Sequence, residues 1–176
     1  MPAFNSVYGM IGRTTSWAVF ILGIVYAVTT ILGFLSLQSP QDPIGDPFFT
    51  IMELLTILIA PLMATTMVAV HYHAAPEYRI YSLASVCFMF IMAGITSSVH
   101  FVILSVGHQM KAAGLAGFPI LFSFKWPSVV YALDILAWDW FFAISVLLAA
   151  PVFKAGKLEK TLRILMIVCG LVSLVG

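Results

Sequence analysis

The sequence predicts an all-α protein, a polytopic transmembrane helix bundle that forms a single domain over residues 1–176. Hydrophobic residues make up 62% of the chain and charged residues only 9%, whereas soluble domains carry about 25% charged residues. The mean hydropathy is +1.08. The apolar residues also fall in runs, and four of the runs reach the roughly 20 residues that a helix needs to cross a bilayer.

Five apolar runs define the predicted spans, and the fifth is the shortest. Their bounds are 17–37, 50–70, 80–106, 127–150 and 161–176. The first run lacks the basic segment and the cleavage site of a signal peptide, so we expect it to be retained. The fifth run is still apolar at Gly176, without the polar residues that anchor a helix in the headgroups. We therefore expect the last helix to be truncated in this sequence.

The segments between the runs contain residues that interrupt helices. Residues 39–47 hold three prolines and a glycine, and Pro76 lies in a short polar turn. Proline lacks the backbone N–H that continues a helix, and its ring clashes with the preceding turn. Residues 107–126 include GLAGFP and are predicted to form a loop with room for a short interfacial helix. Residues 154–160 are predicted to form a tight basic turn.

The basic residues predict how the bundle is oriented. If five spans alternate, six basic residues lie on one side, and Lys111 and Lys125 lie on the other. The six are Arg13, Arg79, Lys154, Lys157, Lys160 and Arg163. Because lysine and arginine are enriched in cytoplasmic loops, the N-terminus is predicted to be cytoplasmic.

Charge and cysteine usage exclude several classes of function. A net charge of +1 leaves no basic face for a nucleic acid. Cys87 and Cys169 lie in apolar runs and are predicted to be core residues. Residues His71 and His73 point to different sides of a helix, so we expect no metal site, and the sequence identifies no cofactor.

Three ionisable residues on separate predicted spans fall at nearly the same depth. At about 1.5 Å per residue, Glu53 lies roughly 7 Å below the outer end of its helix, and His100 and Asp134 lie roughly 10 Å below theirs. An ionisable group in hydrocarbon costs at least about 2.5 kcal/mol unless it has a partner, water or a proton. We therefore expect the three side chains to meet and to be candidate catalytic residues.

Helical spacing adds candidate ligand contacts beside these three residues. On the third span, Thr96, Ser97 and His100 follow one stripe of small and hydroxylic residues. On the fourth span, Trp138 and Phe141 share the face of Asp134. We expect Thr96, Ser97, Trp138 and Phe141 to line a ligand pocket. Tryptophan at such depth is more commonly a packing residue than a ligand wall.

Asp139 is predicted to have a different role. It is rotated by about 140° from Asp134 and lies near the midplane. We expect it to be a structural acid that hydrogen-bonds to the first or fifth helix, where Tyr26, Thr29, Thr30 and Ser173 are available.

These observations favour three functions. The first is a pocket near the extracytoplasmic leaflet that binds a small lipophilic ligand or acts on it by acid/base chemistry. The second is a non-catalytic subunit of a larger membrane complex, in which the buried polar residues only join helices. The third is a proton- or ion-coupled transporter with Asp139 and Pro61 as moving parts, for which a chain of this size would have to form a homo-oligomer. The lipid bilayer is a partner in every case.

Overall fold

The computed structural model describes residues 7–39 and 41–176. Over these residues the chain is an all-α bundle without strands. The α-helices are α1 (Val7–Leu35), α2 (Phe48–His73), α3 (Arg79–Val102), α4 (His108–Ala112), α5 (Phe118–Phe122), α6 (Val129–Ile135), α7 (Ala143–Ala149) and α8 (Gly156–Val175). Two π-helical segments, Ile103–Gly107 and Leu136–Phe142, and two short 3₁₀ turns, Pro76–Tyr78 and Ala150–Val152, join some of them without a break.

Four continuous helices are long and apolar enough to cross a membrane. They are α1, α2, a third long helix (Pro76–Ala112) that contains α3 and α4, and a fourth long helix (Val129–Val152) that contains α6 and α7. The predicted fold class, an all-α bundle of long apolar helices, is confirmed. The fifth predicted run is helical, but it belongs to α8, which begins at Gly156 and includes four charged residues. Those residues are Lys157, Glu159, Lys160 and Arg163.

The connection predicted for residues 107–126 is partly wrong. The third long helix continues to Ala112, and α5 occupies part of the remainder. Glycine disfavours a helix by only about 1 kcal/mol relative to alanine, far less than proline. Gly107 also receives the ring of Phe122, which lies 3.4 Å from where a Cβ would stand. The third long helix therefore continues through Gly107, where composition predicted its end, and Phe122 packs against it at that point.

Small and hydroxylic residues bring neighbouring helices together. Thr66 donates a hydrogen bond of 2.9 Å to Thr15, which joins α2 to α1. Ser145 donates to the Ser85 carbonyl at 2.8 Å inside the bundle, which joins the fourth long helix to α3. Gly170 lets α8 approach α7, since a Cβ there would stand 2.6 Å from Leu147.

The helices pack in chain order around a core of small residues and methionines. The buried core includes Ala60, Ala64, Met89, Met92, Ala137 and Ala149. α1 packs chiefly along α2, and α2 also packs along α3. α3 packs along the fourth long helix, and α8 packs against that same helix. Because α1 has no extensive contact with the fourth long helix, a gap remains between them.

Polar contacts mark the two ends of the bundle. At one end, which we call the Asp46 end, the Asp46 carboxylate lies 3.7 Å from His108 Nε2, and Lys125 donates to the Gln41 carbonyl. The hydroxyl of Thr50 donates to Asp46 and lowers the pKa of that carboxyl below its usual value of 3.8.

At the opposite end, which we call the Lys154 end, the ammonium of Lys154 lies 3.9 Å from the centre of the Tyr78 ring. His73 Nε2 lies 3.8 Å from the Glu159 carboxylate. The prediction for the cysteines is wrong, because Cys87 and Cys169 are both exposed on the surface of the bundle.

Candidate functional site

Three helices bring an imidazole between two carboxyl groups near the Asp46 end. Glu53 stands in the second turn of α2, His100 in the last turn of α3, and Asp134 in α6. His100 Nδ1 and Glu53 Oε2 share a hydrogen bond of 2.7 Å. His100 Nε2 lies 3.5 Å from Asp134 Oδ1. The proximity that depth predicted for these residues is therefore confirmed, while their chemical role stays a prediction.

The two halves of this cluster differ in burial and in hydrogen bonding. The side chains of His100 and Glu53 are 7% and 5% exposed, and that of Asp134 is 23% exposed. Although they face each other, His100 Nε2 and Asp134 Oδ1 are both buried without a hydrogen-bond partner. Buried polar atoms normally have partners, since an unpaired one costs about 1–3 kcal/mol. These two atoms lie 3.5 Å apart, and the structure shows no hydrogen bond to either of them.

The imidazole can connect the two carboxyl groups chemically. A neutral imidazole carries a proton on one nitrogen and a lone pair on the other, and the cation carries protons on both. It can therefore accept a proton at one nitrogen and release another at the second. Because Nδ1 contacts Glu53 and Nε2 faces Asp134, His100 can relay a proton between the two acids.

Aromatic side chains cover the cluster from the Asp46 end. Phe124 stacks on His100 with ring centres 6.0 Å apart, and the rings of Phe49 and Tyr131 pack edge-on against Phe124. Phe124 lies between α5 and α6, outside any regular helix. The sequence analysis missed it, because helical periodicity carries no information about a residue in a connection. This cover limits access of water to the imidazole from the end of the bundle.

A cavity of about 330 Å³ lies beside the cluster, in the gap between α1 and the fourth long helix. Its volume is within the range of small-molecule sites. The residues that line it are Gly23, Tyr26, Thr56, Ile59, His100, Asp134 and Trp138. Glu53 is not among them, and it contacts the cavity-lining residue His100 at Nδ1. Gly23 was not singled out from the sequence, and Tyr26 was assigned to Asp139 as a hydrogen-bond partner, whereas in the structure it lines this cavity.

The four predicted ligand contacts separate in the structure. Trp138 lines the cavity. Thr96 is completely buried in the core, and its hydroxyl oxygen lies 3.5 Å from Met92 Sδ. Ser97 is half-buried and does not line the cavity. Phe141 stacks on Phe88. The π-helical segment from Leu136 to Phe142 has a wider turn than an α-helix, so regular spacing does not give the direction of Phe141.

Asp139 lacks the partners that the sequence analysis assigned to it. The hydroxyls of Thr29 and Thr30 donate to carbonyls of their own helix, those of Val25 and Tyr26. Asp139 is half-buried, and in the described part of the chain it has no hydrogen bond or ion pair.

The histidines near the Lys154 end do not converge. His71 Nδ1 hydrogen-bonds to Ser82 at 2.8 Å, and His73 faces Glu159. Within residues 7–39 and 41–176, no group of three or more His, Cys, Asp or Glu residues is arranged to hold a metal ion. In the buried cluster, the two carboxyl groups approach opposite nitrogens of the His100 ring, so these side chains do not point to a common metal position.

No family model matches this chain, and no curated protein or solved structure matches it. The function of the site is therefore argued from its own chemistry.

The cluster predicts a specific pattern of stability changes. Replacing one partner of a buried ion pair typically destabilises a protein by about 3–5 kcal/mol, whereas replacing both by apolar residues is often neutral. We expect His100→Leu to lower the free energy of unfolding by about 3 kcal/mol, and the double variant Glu53→Met, His100→Leu to regain most of that loss.

The measurement is reversible unfolding in mixed micelles. His108→Leu is the matched control, because its ion pair with Asp46 is solvent-exposed and should be worth less than about 1 kcal/mol. A double variant that is no more stable than His100→Leu would contradict the coupling of Glu53 and His100.

Proposed function

We propose that this protein is a multi-pass integral membrane protein that binds a small lipophilic ligand in the cavity between α1 and the fourth long helix. In this proposal, His100 and Asp134 contact the ligand and exchange a proton with it. Glu53 acts through His100, as a proton donor or acceptor on the side away from the ligand.

The observation that carries this proposal is the pair of unpaired buried atoms at the cavity. His100 Nε2 and Asp134 Oδ1 lack hydrogen-bond partners, and both residues line a space large enough for a small molecule. A few polar groups within an otherwise apolar wall are typical of ligand sites, where they fix the orientation of the ligand. Residues that served only to join helices would be expected to satisfy each other.

The position of α1 supports entry of the ligand from the lipid. Side chains along α1 are largely exposed, among them Ile24, Ile31 and Phe34, as expected for a helix that faces acyl chains. A Cβ added at Gly23 would meet nothing within 4 Å. The wall at Gly23 is therefore open, and a lipophilic molecule could enter there without passing through water.

The charges support a defined orientation in the membrane. Lys154 and Tyr78 meet at the Lys154 end, where Tyr8 of α1 also stacks on Tyr72 of α2. Most of the basic residues belong to this end, so the positive-inside rule makes it cytoplasmic. The cavity then lies nearer to the extracytoplasmic leaflet.

This topology predicts opposite labelling of two engineered cysteines. In a variant with Cys87→Ser and Cys169→Ser, we expect Gln41→Cys to react with a membrane-impermeant maleimide in right-side-out vesicles. Lys157→Cys should react only after permeabilisation. Both positions are exposed and lie at opposite ends of the bundle. Labelling of both from one side would contradict four spanning helices, and reversed labelling would contradict the orientation alone.

Replacing a small residue of the cavity wall by a large one tests the ligand site. We expect Gly23→Trp to occupy the cavity and to remove a small molecule that copurifies with the wild-type protein, as measured by mass spectrometry of an organic extract. Ile24→Trp is the matched control, because Ile24 is half-exposed and does not line the cavity. The proposal is wrong if no small molecule is enriched with the wild-type protein, or if Gly23→Trp retains it in full.

A second candidate function is that of a subunit in a larger membrane assembly, and Asp139 favours it. A half-buried acid in an apolar helix needs a hydrogen-bonding or charged partner, and the described residues provide none. A neighbouring polypeptide could do so. Copurification of a stoichiometric polypeptide that is lost in Asp139→Leu, with no small molecule present, would favour this function over the first.

A further inference from the structure

We infer that the ligand of this cavity is a lipophilic cation, an amine whose ammonium group is bound by Asp134 while its apolar portion packs against Trp138 and Tyr26. This inference rests on the proposed function and specifies the chemical class of the ligand.

The first argument is the balance of charge within the cluster. Two carboxyl groups share one imidazole, and even a fully protonated imidazole neutralises only one carboxylate. The excess negative charge lies in a layer where an unpaired ion is costly. Either an additional proton or an external cation must therefore accompany the cluster.

The second argument is that the two carboxyl groups are not equivalent. Glu53 is more deeply buried and forms the short hydrogen bond of 2.7 Å with His100. Asp134 lies 3.5 Å from the same ring, has an unpaired oxygen and stands in the cavity wall. The imidazole thus interacts more closely with Glu53 than with Asp134, and the carboxyl group with the weaker contact is the one in the cavity wall.

The third argument is that His100, which Asp134 shares with Glu53, is the one potential cation that the described residues place in an ion pair with Asp134. Every ion pair among residues 7–39 and 41–176 involves a histidine. The two basic residues of the Asp46 end are exposed, and one of them, Lys125, donates to the Gln41 carbonyl. A ligand cation would therefore compete for Asp134 with no lysine or arginine of the described structure, and only with the imidazole that Glu53 already shares.

The remaining walls suit a cation with an apolar body. Trp138 lies four residues after Asp134, and both line the cavity together with Tyr26 and Ile59. The faces of tryptophan and tyrosine rings attract ammonium groups, more strongly where water is excluded. The volume of about 330 Å³ corresponds to roughly eleven water volumes, which suits a ring with a short alkyl chain.

The test compares two probes of equal size that differ in charge, 4-phenylbutylamine and 4-phenylbutan-1-ol. Binding is measured by titration calorimetry on the full chain in nanodiscs of phosphatidylcholine, which carries no net charge. We expect the amine to bind at least about tenfold more tightly than the alcohol, because a charge-assisted contact replaces a neutral one. Asp134→Asn should reduce this preference to less than about threefold.

Two further variants locate the effect. Asp139→Asn is the matched control, since it removes an acid from the same long helix outside the cavity wall, and it should keep the preference for the amine. Gly23→Trp should abolish binding of both probes.

The outcomes separate this inference from the proposed function. Equal binding of amine and alcohol, with both excluded by Gly23→Trp, would overturn the cationic ligand and leave the lipophilic site. Retention of the preference in Asp134→Asn would likewise overturn the role of Asp134. Absence of binding by both probes would count against both proposals.

Discussion

The contact on which the site depends is the buried hydrogen bond between Glu53 and His100. Taking two ionisable groups out of water is costly, and close geometry is needed to offset the cost. Their helices must therefore hold a fixed depth and rotation relative to each other. Packing of α2 against α3 through small residues such as Ala60, Ala64 and Ala93 allows the close approach that this contact requires.

Asp134 distinguishes this cluster from a simple buried pair, because it brings a second carboxyl group to His100. Glu53 occupies only one ring nitrogen of His100. The second carboxyl group approaches the other nitrogen without closing a hydrogen bond, and it does so beside a cavity. The loose attachment of α1 creates that cavity, because α1 packs chiefly on α2 and stands away from the fourth long helix. A helix that packs chiefly on one neighbour thus leaves room for the cavity in a small bundle.

Depth along the helices could be predicted from sequence, and rotation about their axes only in part. The rise per residue is constant, and the helix starts near Pro47 and Pro127 gave the depths of Glu53 and Asp134. The depth of His100 was counted back from Gly107, where the third long helix does not end, so its contacts with both acids depend on helix packing as well. The direction of a side chain depends on every turn being regular. The π-helical segment Leu136–Phe142 breaks that regularity. Regular spacing placed Trp138 and Phe141 on the face of Asp134, and of the two only Trp138 lines the cavity. The positions of Gly23 and Phe124 at the site were not predicted, and Tyr26 was assigned to Asp139, since the place of all three beside the cluster arises from packing between distant segments.

The most direct test of the account is solid-state NMR of the protein in bilayers, with ¹⁵N-labelled histidine and ¹³C-labelled aspartate and glutamate carboxyl groups. The account predicts through-space contacts from the ring nitrogens of His100 to the carboxyl carbons of both Glu53 and Asp134. The contact with Glu53 should disappear at its carboxyl shift in Glu53→Gln, and the contact with Asp134 should do so in Asp134→Asn. A His100 ring with no carboxyl contact, or one that exchanges freely with water, would contradict the central claim that these three side chains form one buried site.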